Sequence, residues 1–310
     1  MDTFDLSNAL ACLEGGAPDH DSSAQGAVAD SRLIEGLPAH VYHADRDALS
    51  CSMLKPLLMS PAHFQAALVA DTKSTDAKDF GTLLHLLVLE PEQVAREVAV
   101  FPGVANKRTN AFGEFEAANS GKMVIDEPAF SRARSLADKV LATPYKGRAL
   151  RHFIDESKRE VTIYYTDPTT GLRHRVRIDA YHPELNFDLK STRFADPRAF
   201  TRDAVDKAYD MQAFMYGYAR SLFEGRDSLR PFVFITAENA EPFSVSTLAA
   251  GAMFVDNGAK KYQACVSAYL ACSKTGHWPD LGRDCEIELE PWQQFQPEAG
   301  WRAGLGTLSG

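Results

Sequence analysis

Between Glu160 and Thr192 the sequence admits one strand register. Three apolar-rich segments, Glu160 to Asp167, Leu172 to Tyr181 and Asn186 to Thr192, are separated by Pro168-Thr169-Thr170-Gly171 and His182-Pro183-Glu184-Leu185. Proline early and glycine last suit a turn. With two four-residue turns, Glu160 faces Asp179 and Asp179 faces Asp188. Directly paired residues share a sheet face, roughly 5 Å apart at Cβ. The same register sets Val161, Ile178 and Leu189 in one row and pairs Ile163 with Val176. A one-residue slip would put both patterns on the wrong faces. Strand alternation also puts Asp188 and Lys190 together. A row of acids repels itself unless a cation or a proton intervenes. A divalent metal held by these carboxylates, with the Lys190 ammonium beside the water it activates, resolves that conflict.

Other segments follow the usual local rules. Ser50 or Ser52 suits the start of a helix through about Leu58, and Ser60-Pro61 opens another turn. Phe80 to Leu89, Pro128 to Leu141, Asp203 to Phe223 and residues 250 to 272 read as helices. Residues 102 to 122 read as a loop exposing Lys107 to Thr109. Pro231 to Thr236 and Phe243 to Leu248 read as strands. The pattern predicts an α/β fold, a mixed central β-sheet flanked by helices. Residues 1–36, rich in Ala, Gly, Ser and Asp, read as a disordered N-terminal tail, 37–295 as one domain and 296–310 as a C-terminal tail.

The Asp179 and Asp188-Leu189-Lys190 arrangement resembles the PD-(D/E)XK nuclease superfamily. More narrowly, the chain is similar to the nuclease domain of exonuclease VIII (RecE-type), in the branch shared with the RecB and lambda exonucleases. Ser50 to Phe64, Phe80-Gly81-Thr82-Leu83-Leu84-His85 with Leu89-Glu90-Pro91, Gly171 to Asp179, and Gln212 to Tyr216 resemble that family's motifs in order. The resemblance covers roughly residues 40 to 295. It implies the restriction-endonuclease-like core and a Mg²⁺-dependent exodeoxyribonuclease, with Mn²⁺ able to substitute. It also implies 5′-to-3′ digestion of duplex DNA ends in recombination or repair, a single-strand annealing recombinase as partner, and a homo-oligomer, a tetramer in the family. By the same resemblance Asp179, Asp188, His85 and the Leu189 carbonyl hold metal, Lys190 stabilises charge at phosphorus, and Gln212 and Tyr216 face the active site and touch DNA or the groups that support the ligands. Glu160 is a further catalytic carboxylate, as a metal ligand or as one half of an ion pair. Another endonuclease of the superfamily and an inactive DNA-binding module are the rival readings.

Composition narrows the setting. The net charge is −9, from 33 basic and 42 acidic residues, so any DNA contact must come from local charge. Eight Lys or Arg against four Asp or Glu lie from Lys146 to Arg177. Arg173, Arg175 and Arg177 alternate, which predicts one face that could hold DNA phosphates beside Asp179. No signal peptide or apolar run of membrane length is present, so the chain reads as soluble and cytoplasmic. Five cysteines, at 12, 51, 265, 272 and 285, lack a C-x-x-C pair. Isolated thiols are favoured over a disulfide framework or an iron–sulfur cluster.

Overall fold

The computed structural model describes residues 30–70 and 75–282, together with 286, 288 and 289. Six strands form the main sheet: β1 (Ser31–Ile34), β2 (Lys158–Thr166), β3 (Arg173–Tyr181), β4 (Asn186–Thr192), β5 (Phe232–Glu238) and β6 (Val245–Ala249). They lie side by side in chain order. Every neighbouring pair is antiparallel except β4 and β5, which are parallel. A parallel pair needs a crossover, supplied here by α7 (Pro197–Asp206) and α8 (Tyr209–Glu224) in the numbering that follows. The other helices used below are α1 (Ala39–Ala44), α2 (Cys51–Leu54), α3 (Pro61–Val69), α4 (Asp76–Leu89), α5 (Asn110–Ala118), α6 (Glu127–Ala142) and α9 (Ala252–Thr275).

Helices cover both faces of the sheet. Val161, Ile163, Val176 and Ile178 pack with Met211, Phe214 and Tyr218 of α8 and Tyr262 of α9. Phe187, Leu189, Val233 and Ile235 pack with Leu83 and Leu84 of α4 and Leu136 and Val140 of α6. A parallel pair buried on both faces reads as a nearly continuous apolar run, as Phe232–Ile235 does.

The first hairpin keeps the expected register: Val161 pairs with Ile178 and Ile163 with Val176. Asp167 N–H donates to the Leu172 carbonyl, so the turn has four residues. In the second hairpin Tyr181 pairs with Asn186 and Ala180 with Phe187, and there the ladder stops. Leu189 therefore does not join Val161 and Ile178, and it lies in the opposite core cluster. The reason lies in β3. Ile178 and Ala180, two residues apart, belong to opposite clusters, so strand alternation breaks at Asp179. Opposite it, Glu160 has φ 51°, a left-handed conformation that costs roughly 1–3 kcal/mol for such a residue.

Three further expectations change. Ser31–Ile34, placed in the tail by composition, is the sheet's edge strand and pairs with β2; residues 1–29 and 296–310 lie outside the described residues. Helix α5 stands where a loop was expected; Thr109 caps it, and Phe112 and Phe115 pack on Phe101. The helix expected from Asp203 to Phe223 is two helices, broken at Ala208 with φ 52°. Cys51, Cys265 and Cys272 are buried free thiols; Cys12 and Cys285 lie outside the described residues. No helix among the described residues is long and apolar enough to cross a membrane.

Two contacts fix α9 and make testable demands. A Cβ on Gly258 would lie 2.0 Å from the Asp210 carbonyl oxygen, so only glycine lets α9 meet the start of α8. Gly258→Ala should cost about 1–3 kcal/mol or more, whereas Gly113→Ala on the open face of α5, with nothing within 4 Å, should be neutral or stabilising. Urea unfolding of both variants checks this. Beneath β2 and β3, Tyr262 Oη donates to Asp167 Oδ2 at 2.6 Å and lies 3.2 Å from His174 Nε2. Burial pushes the His174 imidazole down to about 4. The unfolded chain then binds the extra proton first, so stability falls as pH drops from about 6.5 to about 4, by on the order of 3 kcal/mol. His174→Gln should show a shallower loss over that window in urea midpoints.

Candidate metal-dependent active site

Beyond Ala180 and Phe187 the strands β3 and β4 separate, and the Asp179 carboxylate takes over the missing backbone bond. Its Oδ2 accepts the Leu189 N–H at 2.7 Å. The fork opens into a cavity of about 240 Å³ lined by His85, Glu160, Arg177, Asp179, Lys190, Gln212 and Tyr216, and also by Ser50, Ser52 and Lys55. A wider cleft of about 460 Å³ adjoins it. His43, His85, Glu160, Arg177 and Lys190 line both.

The side chains arrive from five elements, β2, β3, β4, α4 and α8. Asp188 comes from β4 and is 1% exposed. Its Oδ1 accepts from Gln212 Nε2 of α8 at 2.6 Å. Its Oδ2 lies 2.6 Å from Lys190 Nζ, yet no aligned hydrogen bond reaches that oxygen. His85 comes from α4, which Thr75 caps. Its Nε2 donates to the Leu189 carbonyl at 2.7 Å, and its Nδ1 lies 3.7 Å from Asp179 Oδ2 and 4.0 Å from Glu160 Oε1. Arg177 Nε donates to Glu160 Oε2 at 2.5 Å and Arg177 Nη1 to the Leu37 carbonyl.

The electrostatics follow from packing carboxylates in a buried fork. Burial, then the neighbouring Asp188 charge, push Asp179 up to about 7. Burial alone would lower His85, but the charges of Asp179 and Glu160 outweigh it and hold the imidazole at about 9. Burial would raise Glu160, and His85 and Arg177 overcome it, so this carboxyl sits below its ordinary range. Burial likewise opposes the Lys190 ammonium, but Asp188 and Asp179 raise it well above the ordinary lysine value. Protonated His85 thus sits where a cation between Asp179 and Glu160 would sit.

The donor set fits a hard divalent cation. One ligand atom each from His85, Glu160 and Asp179 lies within 4.8 Å of the others. Oxygen-rich donors with one imidazole suit Mg²⁺ or Mn²⁺ better than a soft metal.

The structure brings Glu160, Asp179, Asp188, Lys190, His85, Leu189, Gln212 and Tyr216 to this fork. It does not bring the arginine row there as a DNA face. Arg175 is 2% exposed, donates to the Ala48 carbonyl and stacks over Tyr42. Arg177 is spent on Glu160 and Leu37. Only Arg173, at the start of β3, is exposed. Alternation placed the three on one face, but that face is covered by α1 and the segment after it.

Two residues escaped the sequence reading. The Tyr209 ring lies 4.7 Å from Lys190 Nζ and 5.1 Å from Lys55 Nζ. Tyr209 precedes Gln212 by three residues, so helical spacing was the available signal; the expected unbroken helix hid that it opens α8. Lys55, half-buried with its pKa lowered first by burial, has no carboxylate ion pair among the described residues.

Residues 50–291 match the family described as a PDDEXK-like domain of unknown function (DUF3799). The chain belongs to this family. No curated protein matches the chain. A crystal structure from Eubacterium rectale described as "Putative exonuclease" aligns with a TM-score of 0.49 and 13% identity, covering 82% of this chain and 96% of that one. The mixed sheet flanked by helices is that of a PDDEXK-like nuclease, a class that uses divalent metals to hydrolyse phosphodiesters.

Millimolar Mn²⁺ or Mg²⁺ should raise the thermal midpoint, and chelation should reverse it. Saturation at 100 times Kd corresponds to about 2.7 kcal/mol. His85→Ala should shrink the shift, as followed by differential scanning calorimetry. No shift in the wild type would contradict the assignment of the donor set.

Proposed function

We propose that the chain is a Mg²⁺-dependent exodeoxyribonuclease of the exonuclease VIII type, acting at duplex DNA ends. The observation that carries this is the fork itself: Asp188 is held between Gln212 and Lys190 while Asp179, Glu160 and His85 converge on the same cavity. Asp179, Asp188, Glu160 and His85 would hold the cation, with the Leu189 carbonyl beside them. Such a cation supplies Lewis-acid activation of the phosphodiester and of the attacking water.

The chain's own groups do the remaining work. Lys190 keeps its charge at any physiological pH, and it stands ready to meet negative charge growing on phosphoryl oxygens. Its pairing with Asp188 and its seat over Tyr209 fix the ammonium before substrate arrives. Gln212 holds Asp188 in one orientation. Tyr216 lines the same cavity. Digestion from 5′ to 3′, a role in recombination or repair, a single-strand annealing partner, a tetramer and a cytoplasmic location rest on the family resemblance alone. An endonuclease of the same superfamily would use the same fork, since nothing in it distinguishes an end from an interior bond.

End-labelled linear duplex DNA incubated with Mg²⁺ should lose label progressively as short products, while closed circular duplex should persist. Cleavage of the circle would favour the endonuclease reading. Asp188→Asn should abolish hydrolysis with little loss of fold. Lys190→Ala should keep metal binding and lower turnover by about 10²-fold or more. Unchanged turnover in either variant would refute its role.

A further inference from the structure

The segment that joins the catalytic strand to α8 has features the hydrolytic fork does not use. It leaves β4 just past Lys190 and returns at Tyr209, whose ring lies under the Lys190 ammonium. Four residues span at most about 14 Å, so Phe194 sits within that distance of Lys190 along the chain. Phe194 is 50% exposed and is one of two exposed phenylalanines among the described residues. Single exposed apolar side chains are common, but this one is held in place. Thr192 Oγ1 accepts the Phe194 N–H at 3.3 Å and donates to the Phe194 carbonyl at 3.2 Å. Ala195 N–H donates to the Glu238 carboxylate at 2.9 Å. The Arg193 guanidinium lies 5.5 Å from the ring centroid.

Charge continues from this ring along α7. Arg198 and Arg202 are four residues apart and exposed, hence on one helical face. Among the described residues no carboxylate pairs with Arg193, Arg198 or Arg202. Of the three acids in this stretch two are engaged: Asp196 Oδ1 accepts from the N–H groups of Arg198 and Ala199, and Asp203 pairs with Lys207 at 2.9 Å; the third, Asp206, is exposed at the end of α7. In a chain of net charge −9, three unpaired arginines beside a fixed, exposed aromatic ring are the combination that binds single strands. Any base offers a π-face to stack on the ring, and the arginines follow the phosphates.

We propose that Phe194 and the Arg193–Arg198–Arg202 row form a single-strand DNA track that holds the strand running to or from the catalytic fork, a reading that rests on the nuclease function above. Phe194 stacks one base, and Arg198 and Arg202 engage successive phosphates. The track sets affinity and registration of the strand and takes no part in bond breaking.

The test uses full-length protein carrying Asp188→Asn, without divalent metal, and a single-stranded oligonucleotide with 2-aminopurine at successive positions. One position should be quenched on binding. Phe194→Ala should remove that quenching and weaken binding by about 5- to 150-fold, with Phe194→Trp restoring both. Arg198→Gln with Arg202→Gln should lower the slope of log affinity against log salt by about 1.4. On the active background these changes should raise KM for DNA far more than they lower kcat. Melting temperatures should stay near the parent's, because the altered side chains are exposed. Parent-like quenching, affinity and salt slope in the variants would overturn the track. If the parent binds with this Phe194 dependence while active protein hydrolyses no DNA, the nuclease reading fails and the track stands. Failure of the parent to bind the oligonucleotide overturns the track, and linear-duplex digestion then decides the nuclease reading separately.

Discussion

The hydrogen bond from Leu189 N–H to Asp179 Oδ2, 2.7 Å long, is the contact on which the site depends. Where β3 and β4 stop pairing, a buried N–H would otherwise lose its partner at a cost of about 1–3 kcal/mol. The Asp179 side chain supplies the acceptor, so the sheet splits without leaving that donor unsatisfied. The split gives His85 access to the Leu189 carbonyl and brings Glu160 and Asp179 onto the same space as His85. The left-handed Glu160 and the broken alternation at Asp179 belong to this opening.

Buried acids at such a fork must be neutralised, and each is met by a different cation. Lys190 meets Asp188, Arg177 meets Glu160 and His85 faces Asp179. The Lys190 and Arg177 pairs are short, while the imidazole stays near 4 Å from its carboxylates. That looser contact marks the place a divalent ion would take, with the His85 proton leaving as the ion binds. The helices hold this arrangement from outside. Gly258 lets α9 press on the first turn of α8, and there Asp210 is held by Asn257 and Lys261. Gln212 and Tyr209 are thereby set against Asp188 and Lys190.

Much of this was legible in the sequence because a hairpin register leaves a two-sided pattern. Val161 with Ile178 and Ile163 with Val176 fixed the first hairpin, and four-residue turns carried it to the second. What escaped was local backbone irregularity. Alternation assumes an unbroken pleat, so it put Leu189 with Ile178 and made Arg175 a surface residue. Nothing in the residue types announces a break at Asp179 or a cover over Arg175. Likewise, the apolar spacing runs through Ala208, an ordinary helix former, so the left-handed residue that separates α7 from α8 left no mark. Helix α5 was missed because Gly113 and the polar run before it outweighed the Thr109 cap and the Phe112–Phe115 spacing.

The central claim is that the fork is a divalent-metal site. Crystals grown with Mn²⁺ and measured at the manganese absorption edge test it most directly. The account predicts an anomalous peak within coordination distance of Asp179 and Asp188, with His85 or Glu160 as a further ligand and the His85 to Glu160 and Asp179 separations closing around the ion. A fork without a peak, its His85 still facing both carboxylates at millimolar Mn²⁺ and neutral pH, would contradict it.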